Sequence, residues 1–213
     1  MRLFISEMLG TAFLLCTIVG SGIMGERLAN GNLALALLAN SLATGAGLSV
    51  FILIFSPLSG AHFNPVVTLS ALLQRNLSVA TATLYLVAQL VGSFLGVGAA
   101  HFMFGLPLFE ISKHARGGSG QWLSEYIATF GLVMVIQGCK RYGVPVLAIA
   151  VGTYILAAYW FTSSTSFANP AVTLARSFTN TFSGIRPTDI LPFITAQILG
   201  TLSATYFFSK AVC

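Results

Sequence analysis

Two asparagines, each followed by proline, hold the polar chemistry of this chain. Asn64 lies in "HFNPVVTLSALL" and Asn169 in "SFANPAVTLARSF", so one phrase occurs twice, 105 residues apart. An asparagine amide offers two N–H donors and one acceptor. Proline suits the first helical position, where no backbone N–H is needed. Each phrase therefore starts a short helix with a donor-bearing side chain at its head. A helix start also has unpaired N–H groups and a positive partial charge of roughly half a unit. Two such starts placed head to head would welcome a hydroxyl oxygen and repel a cation. Simple capping of each helix by its own Asn is the plainer reading, but it leaves the duplication unexplained.

Glu7 and Glu125 are two of only five acids, and both lie within apolar stretches. An acid at membrane depth is a functional candidate by default. Their equivalent places favour structural support, in which each accepts hydrogen bonds from backbone N–H groups of the loops before Asn64 and Asn169. A transport or proton-relay role lacks a second acid or a basic partner nearby in sequence. His62, two residues before Asn64, either fixes that loop or lines the inner mouth. It has no ligand spacing to His101 or His114, and Cys16, Cys139 and Cys213 share none either, so no metal site is expected. No Ser/His/Asp set and no HExxH pattern is present, which argues against an intramembrane enzyme. No cofactor is expected.

The elements that must position these residues follow from composition. Hydrophobic residues make up 56% of the 213 and charged residues 7%, against about 25% charged in soluble domains. Stretches without Asp, Glu, Lys or Arg run over 8–25, 28–74, 76–109, 126–139, 142–175 and 190–209. A span needs about 20 apolar residues. Six helices are predicted, over about 4–24, 33–55, 79–104, 121–139, 144–162 and 188–209. The segments "SPLSGAHFNP" and "TSSTSFANP" are left over and read as non-helical loops dipping into the membrane. Irregular backbone survives there only when buried in protein or lining water.

The repeat extends beyond the Asn-Pro phrases. "SEMLGTAFLL" matches "SEYIATFGLV" at an offset of 118, and "AQLVGS" matches "AQILGT" at 108. Three blocks in one order indicate duplication. The first repeat is placed at 1–104, the connecting loop at 105–120 and the second repeat at 121–213, all in one pore domain. Three spans per half make the second half inverted, which puts the site near the midplane. The fold class is thus an all-α membrane protein of six transmembrane helices plus two re-entrant half-helices, in an inverted 3+3 repeat. Gly92, Gly96 and Gly200 are expected at close helix contacts. The ten basic residues are scattered singly, as interfacial anchors are, and suggest no nucleic acid. With five on each side, they do not fix the orientation.

Two Asn-Pro-Ala-like boxes in inverted three-span halves, with "SGAHFNP" and Glu-x-x-x-Thr at Glu7/Thr11 and Glu125/Thr129, resemble the major intrinsic protein family of aquaporins and aquaglyceroporins. The resemblance covers nearly the whole chain. It implies a homotetramer in the lipid bilayer with one pore per subunit, passing small neutral solutes passively, here in a bacterial plasma membrane. Most members have Arg directly after the second box; this chain has Val172. Carrying the other filter positions over by spacing gives Thr44, Ala157 and Ser166, with Ala158 or Tyr159 as lining residues if the fifth helix slips in register. A filter of Thr44, Ala157, Ser166 and Val172 has no aromatic and no cation. It implies a wide pore for glycerol-like polyols and neutral metalloid hydroxides such as arsenite, with some water. Bacterial sequences resembling the "NPAVTLARS" variant include channels linked to arsenic resistance. The alternatives are an orthodox water channel and an ion-coupled secondary transporter. Arg176, four residues past Val172, is either a vestibule cation, an interfacial anchor or a partner for loop carbonyls.

Overall fold

The computed structural model describes residues 1–211; the last two, including Cys213, lie outside the described residues. Eight helices follow in order: α1 (Arg2–Leu28), α2 (Leu33–Ser59), α3 (Pro65–Leu73), α4 (Val79–Met103), α5 (Ser119–Cys139), α6 (Val144–Phe161), α7 (Pro170–Ala175) and α8 (Ile190–Ala211). Six are long and apolar enough to cross a membrane. The other two, α3 and α7, are the half-helices, nine and six residues long. The fold is the inverted 3+3 arrangement. In the first half α1 packs on α2 and α4; in the second, α5 packs on α6 and α8. Contact between α2 and α6 joins the halves, and both half-helices lie against α4 and α8.

In lipid, apolar surface gives neighbouring helices little reason to associate, so association relies on close approach of backbones. The glycines permit it. A Cβ on Gly92 or Gly96 would collide with the Met8 or Ala12 carbonyl of α1, and one on Gly200 would strike the Tyr126 carbonyl of α5. Large apolar side chains such as Phe13, Leu95, Ile149, Leu199 and Phe207 remain exposed on the outer surface, where acyl chains belong.

Two features differ from the sequence expectation. The helix α2 runs past Ser56 to Ser59, with Pro57 inside its last turns. Proline there removes one N–H near the helix end, and Gly60 then closes the helix in the left-handed region (φ 86°), its N–H bonding the Ser56 carbonyl. The first dipping loop is accordingly shorter than "SPLSGAHFNP". The segment between α4 and α5 is also more than a connector. It folds back over the end of α7: the N–H groups of Glu110 and Ser112 donate to the carbonyls of Phe178 and Ser177, at 2.9 and 2.8 Å.

Candidate functional site

The two dipping loops have residues with φ in the left-handed region. They are Ala61 (52°) and Phe63 (50°) in the first, and Thr165 (60°), Ser166 (48°) and Ala168 (46°) in the second. Each costs a non-glycine residue about 1–3 kcal/mol unless its surroundings hold it. The buried carboxylates do so. Glu7 Oε1 accepts from His62 N (2.9 Å) and Ser59 Oγ (2.7 Å), and Oε2 from Phe63 N (2.7 Å) and Gln89 Nε2 (2.9 Å). Glu125 repeats the pattern: Oε1 accepts from Phe167 N (2.9 Å), and Oε2 from Ala168 N (2.9 Å) and Gln197 Nε2 (2.6 Å). The second N–H of each glutamine reaches a half-helix threonine, Gln89 to Thr68 at 3.1 Å and Gln197 to Thr173 at 2.8 Å. Each half thus ties its first helix, dipping loop, half-helix and last helix through one Glu–Gln–Thr set. Sequence reasoning assigns Gln89 and Gln197 no role, although they sit at matched places in "AQLVGS" and "AQILGT". Repeat equivalence is the signal that could have found them.

Asn64 and Asn169 head the half-helices. The Asn64 side chain accepts from Val66 N at 3.0 Å, and that of Asn169 from Ala171 N and Val172 N at 3.0 and 3.2 Å. Their amide donors cross between the halves: Asn64 Nδ2 to the Ala168 carbonyl (2.8 Å) and Asn169 Nδ2 to the Phe63 carbonyl (2.9 Å). The two amides therefore do more than offer donors to a solute. One N–H of each locks the loops head to head, which leaves the second for a solute.

Both asparagines line a continuous cavity of about 400 Å³. Its lining also includes Gln74, Asn76, Lys140, Tyr159 and Arg176. His62 lines it too, with Nδ1 3.1 Å from Thr68 Oγ1, so it fixes the loop and faces the lumen at once. Thr44, Ser166 and Val172 line it as well.

Ala157 does not line it. This residue is exposed on the outer face of α6, whereas Ile155 and Tyr159 face the cavity. Successive helical residues turn by about 100°, so a residue midway between two that are four apart points away from both. Ala158 is fully buried and also off the lining. Tyr159 takes the place instead, and its hydroxyl donates to Thr44 Oγ1 across the cavity at 3.3 Å. The cavity wall beside Thr44 therefore contains an aromatic.

Nor is Arg176 an interfacial anchor in water. It is 2% exposed, follows α7 in a single 3₁₀ turn, and lines the cavity. Its Nε donates to the Ser183 carbonyl and its guanidinium lies 3.5 Å from the Phe167 ring centroid. Arg116, read from sequence as another anchor, is 7% exposed and packs on the same ring at 4.9 Å. It donates to the carbonyls of Gly184 (2.8 Å), Ser164 (3.2 Å) and Phe182 (3.4 Å). Burial lowers its pKa to about 10, opposed by Glu125 and Tyr159, so it stays charged at neutral pH. Among the described residues no group of His, Cys, Asp or Glu is arranged to hold a metal ion.

The comparisons with known proteins agree with this architecture. The family described as "Major intrinsic protein" matches residues 1–144. The aquaglyceroporin AqpS of Rhizobium meliloti (strain 1021) is 51% identical over 203 residues, covering 95% of this chain and 87% of that protein. A probable aquaporin, PIP2-8 of Oryza sativa, is 33% identical over 137 residues, 64% of this chain and 48% of that one. Among solved structures, the aquaglyceroporin from Plasmodium falciparum superposes with a TM-score of 0.78 at 24% identity, over 100% of this chain and 96% of that chain. Paired Asn-headed half-helices, a lumen between inverted halves and these likenesses together place the chain in the major intrinsic protein family, as an integral membrane channel protein.

Proposed function

We propose that the chain is a passive channel for small hydroxylated neutral solutes, glycerol-like polyols and neutral metalloid hydroxides such as arsenite, with some water passing too. The two repeats, 1–104 and 121–213, joined by 105–120, act as one pore domain, four copies of which form a homotetramer in a bacterial plasma membrane. The observation that carries this reading is the lumen itself. A cavity of about 400 Å³ is lined by both Asn64 and Asn169 and by Val172, where the family usually has Arg. Apolar wall with a few convergent donors suits a solute that has several hydroxyls and no charge.

Passive flux is favoured over ion coupling by what Glu7 and Glu125 do. Every carboxylate oxygen already accepts from loop N–H groups or side-chain donors. That supports a scaffolding role and leaves no free acid to bind a coupling ion. The 51% identical aquaglyceroporin supports glycerol-sized solutes.

Purified protein in liposomes tests the proposal by light scattering against gradients of water, glycerol, urea and arsenite. Glycerol and arsenite should enter faster than in protein-free vesicles, with no dependence on a proton or sodium gradient. Flux that requires an ion gradient would overturn passive transport. Val172→Arg should exclude glycerol and arsenite while keeping water; unchanged arsenite flux would remove Val172 from the filter.

A further inference from the structure

The half-helices are near copies with opposite directions, so their cavity-facing positions can be compared pair by pair. At the offset of 105, Val172 corresponds to Val67 and Arg176 to Ala71. All four line the cavity. The face of each half-helix that meets the lumen thus continues for one more turn past the valine, as expected for positions four apart. In the first half that turn presents a methyl group, and in the second a guanidinium. The lumen is therefore apolar at one matched position and cationic at the other.

The guanidinium is held from behind. Its Nε is bonded to the Ser183 carbonyl and its plane rests on Phe167. Its two terminal nitrogens have no partner among the described residues, yet they do not count among the buried unpaired atoms. Arg176 as a whole is 2% exposed and lines the cavity. Ser166 Oγ is also without a partner, on a residue 3% exposed that lines the same cavity. A buried guanidinium with two idle N–H-bearing nitrogens is costly unless something accepts from them. No carboxylate does: Glu125 accepts from Phe167 N, Ala168 N and Gln197 Nε2, and Asp189 from Arg116 N and Arg186. Water, or the oxygens of a passing solute, must fill the role.

We infer that Arg176 is the selectivity-filter cation of this channel, set about one helical turn beyond the usual place, where it donates to solute oxygens and bars cations and protons. This deepens the channel reading and rests on it. Loss of Arg at the Val172 position then widens the lumen beside the asparagines without removing the charge barrier. The barrier is moved about 6 Å outward, four residues at 1.5 Å each. Arg116, whose guanidinium packs on the same ring, adds a second positive charge behind it. Solutes bearing acceptor oxygens on adjacent carbons or on one metalloid centre match a fork of two parallel donors.

The test compares wild type, Arg176→Gln and Arg176→Lys in liposomes. Proton leak is followed by an entrapped pH dye and expressed per unit of water flux. R176Q should raise that ratio by about tenfold or more, the consequence of removing a fixed charge from a low-dielectric path. R176K should return it close to wild type, because the charge is kept, whereas a merely structural arginine holding the Ser183 carbonyl would not be rescued. An R176Q ratio equal to wild type, or R176K leaking as R176Q does, overturns the proposal. A second arm needs no variant. Wild-type protein treated with 2,3-butanedione, a small neutral arginine reagent, should acquire an adduct on Arg176 that excess glycerol suppresses. An unmodified Arg176 overturns the lumen placement. Wild-type vesicles without solute flux would instead overturn the channel reading, whichever way the labelling falls.

Discussion

Glu125→Gln isolates the bond set that holds the second dipping loop. The carboxylate accepts three hydrogen bonds, one at Oε1 from Phe167 N and two at Oε2 from Ala168 N and Gln197 Nε2. A glutamine has one acceptor oxygen and one NH₂. Its better orientation keeps the oxygen on the Ala168 and Gln197 donors and turns the NH₂ toward the Phe167 N–H. Donor then faces donor. The lost charge-assisted bond is worth about 1.5–3 kcal/mol, and the buried N–H left unpaired costs about 1–3 kcal/mol more. The total is about 2.5–6 kcal/mol, with nothing gained in return, because Glu125 is fully buried. At about 2–4 °C per kcal/mol for a chain of this size, even the low end lowers the unfolding midpoint by about 5–10 °C. Thermal unfolding of the purified protein in detergent, followed by intrinsic fluorescence, measures it. Glu7→Gln should behave alike, since Glu7 Oε1 and Oε2 each take two donors. A Glu125→Gln midpoint within about 2 °C of wild type, no more than the shift of a single kcal/mol, would refute the claim that this carboxylate holds the loop.

Further outcomes follow from the same geometry. Ala157→Leu faces outward and should leave solute flux within about twofold, whereas Tyr159→Ala, which strips the ring from the lumen and the bond to Thr44, should raise glycerol entry into liposomes. Gly92→Val drives a side chain into the Met8 carbonyl and should cost about 1–3 kcal/mol by overpacking, seen as a lower unfolding midpoint or loss of assembled protein on a sizing column. Asn64→Ala removes both a helix cap and the tie to the Ala168 carbonyl; it should destabilise by more than the roughly 1 kcal/mol of a cap alone, measured by the same unfolding curve. Arg116→Gln loses guanidinium bonds to Gly184, Ser164 and Phe182, so limited proteolysis should cut the segment between α4 and α5 faster.

What can be read from the sequence and what cannot divides along a physical line. The spans are legible because lipid excludes charge, so stretches free of Asp, Glu, Lys and Arg mark them directly. The Asn-Pro phrases and the two glutamates are legible because each occurs twice at matched places, and duplication turns a lone polar residue into a pair with one explanation. The failures concern residues whose position depends on something the repeat does not fix. Spacing selects Ala157 over Tyr159 because counting back from Asn169 crosses the loop 162–168, whose length and left-handed turns shift the register, and an error of two residues on a helix is a rotation of about 200°. Pro57 suggests a helix end, although a proline in the last turns removes only one bond. Arg116 has no local signal at all: its acceptors lie 48 to 68 residues away, and a single arginine in a polar loop looks like an anchor until the chain folds over it. Arg176 lies between these cases. Its spacing from Val172 is visible, but whether it faces water or the lumen depends on the segment 110–116 closing over α7, a contact made by backbone bonds that no side-chain pattern encodes. The halves match at Asn64/Asn169 and at Val67/Val172 and differ at Arg176 against Ala71 and Ser166 against Ala61. Symmetry locates the cavity, because both halves contribute matched residues to its wall, and the unmatched pair Arg176 and Ala71 makes that wall polar in one half and apolar in the other.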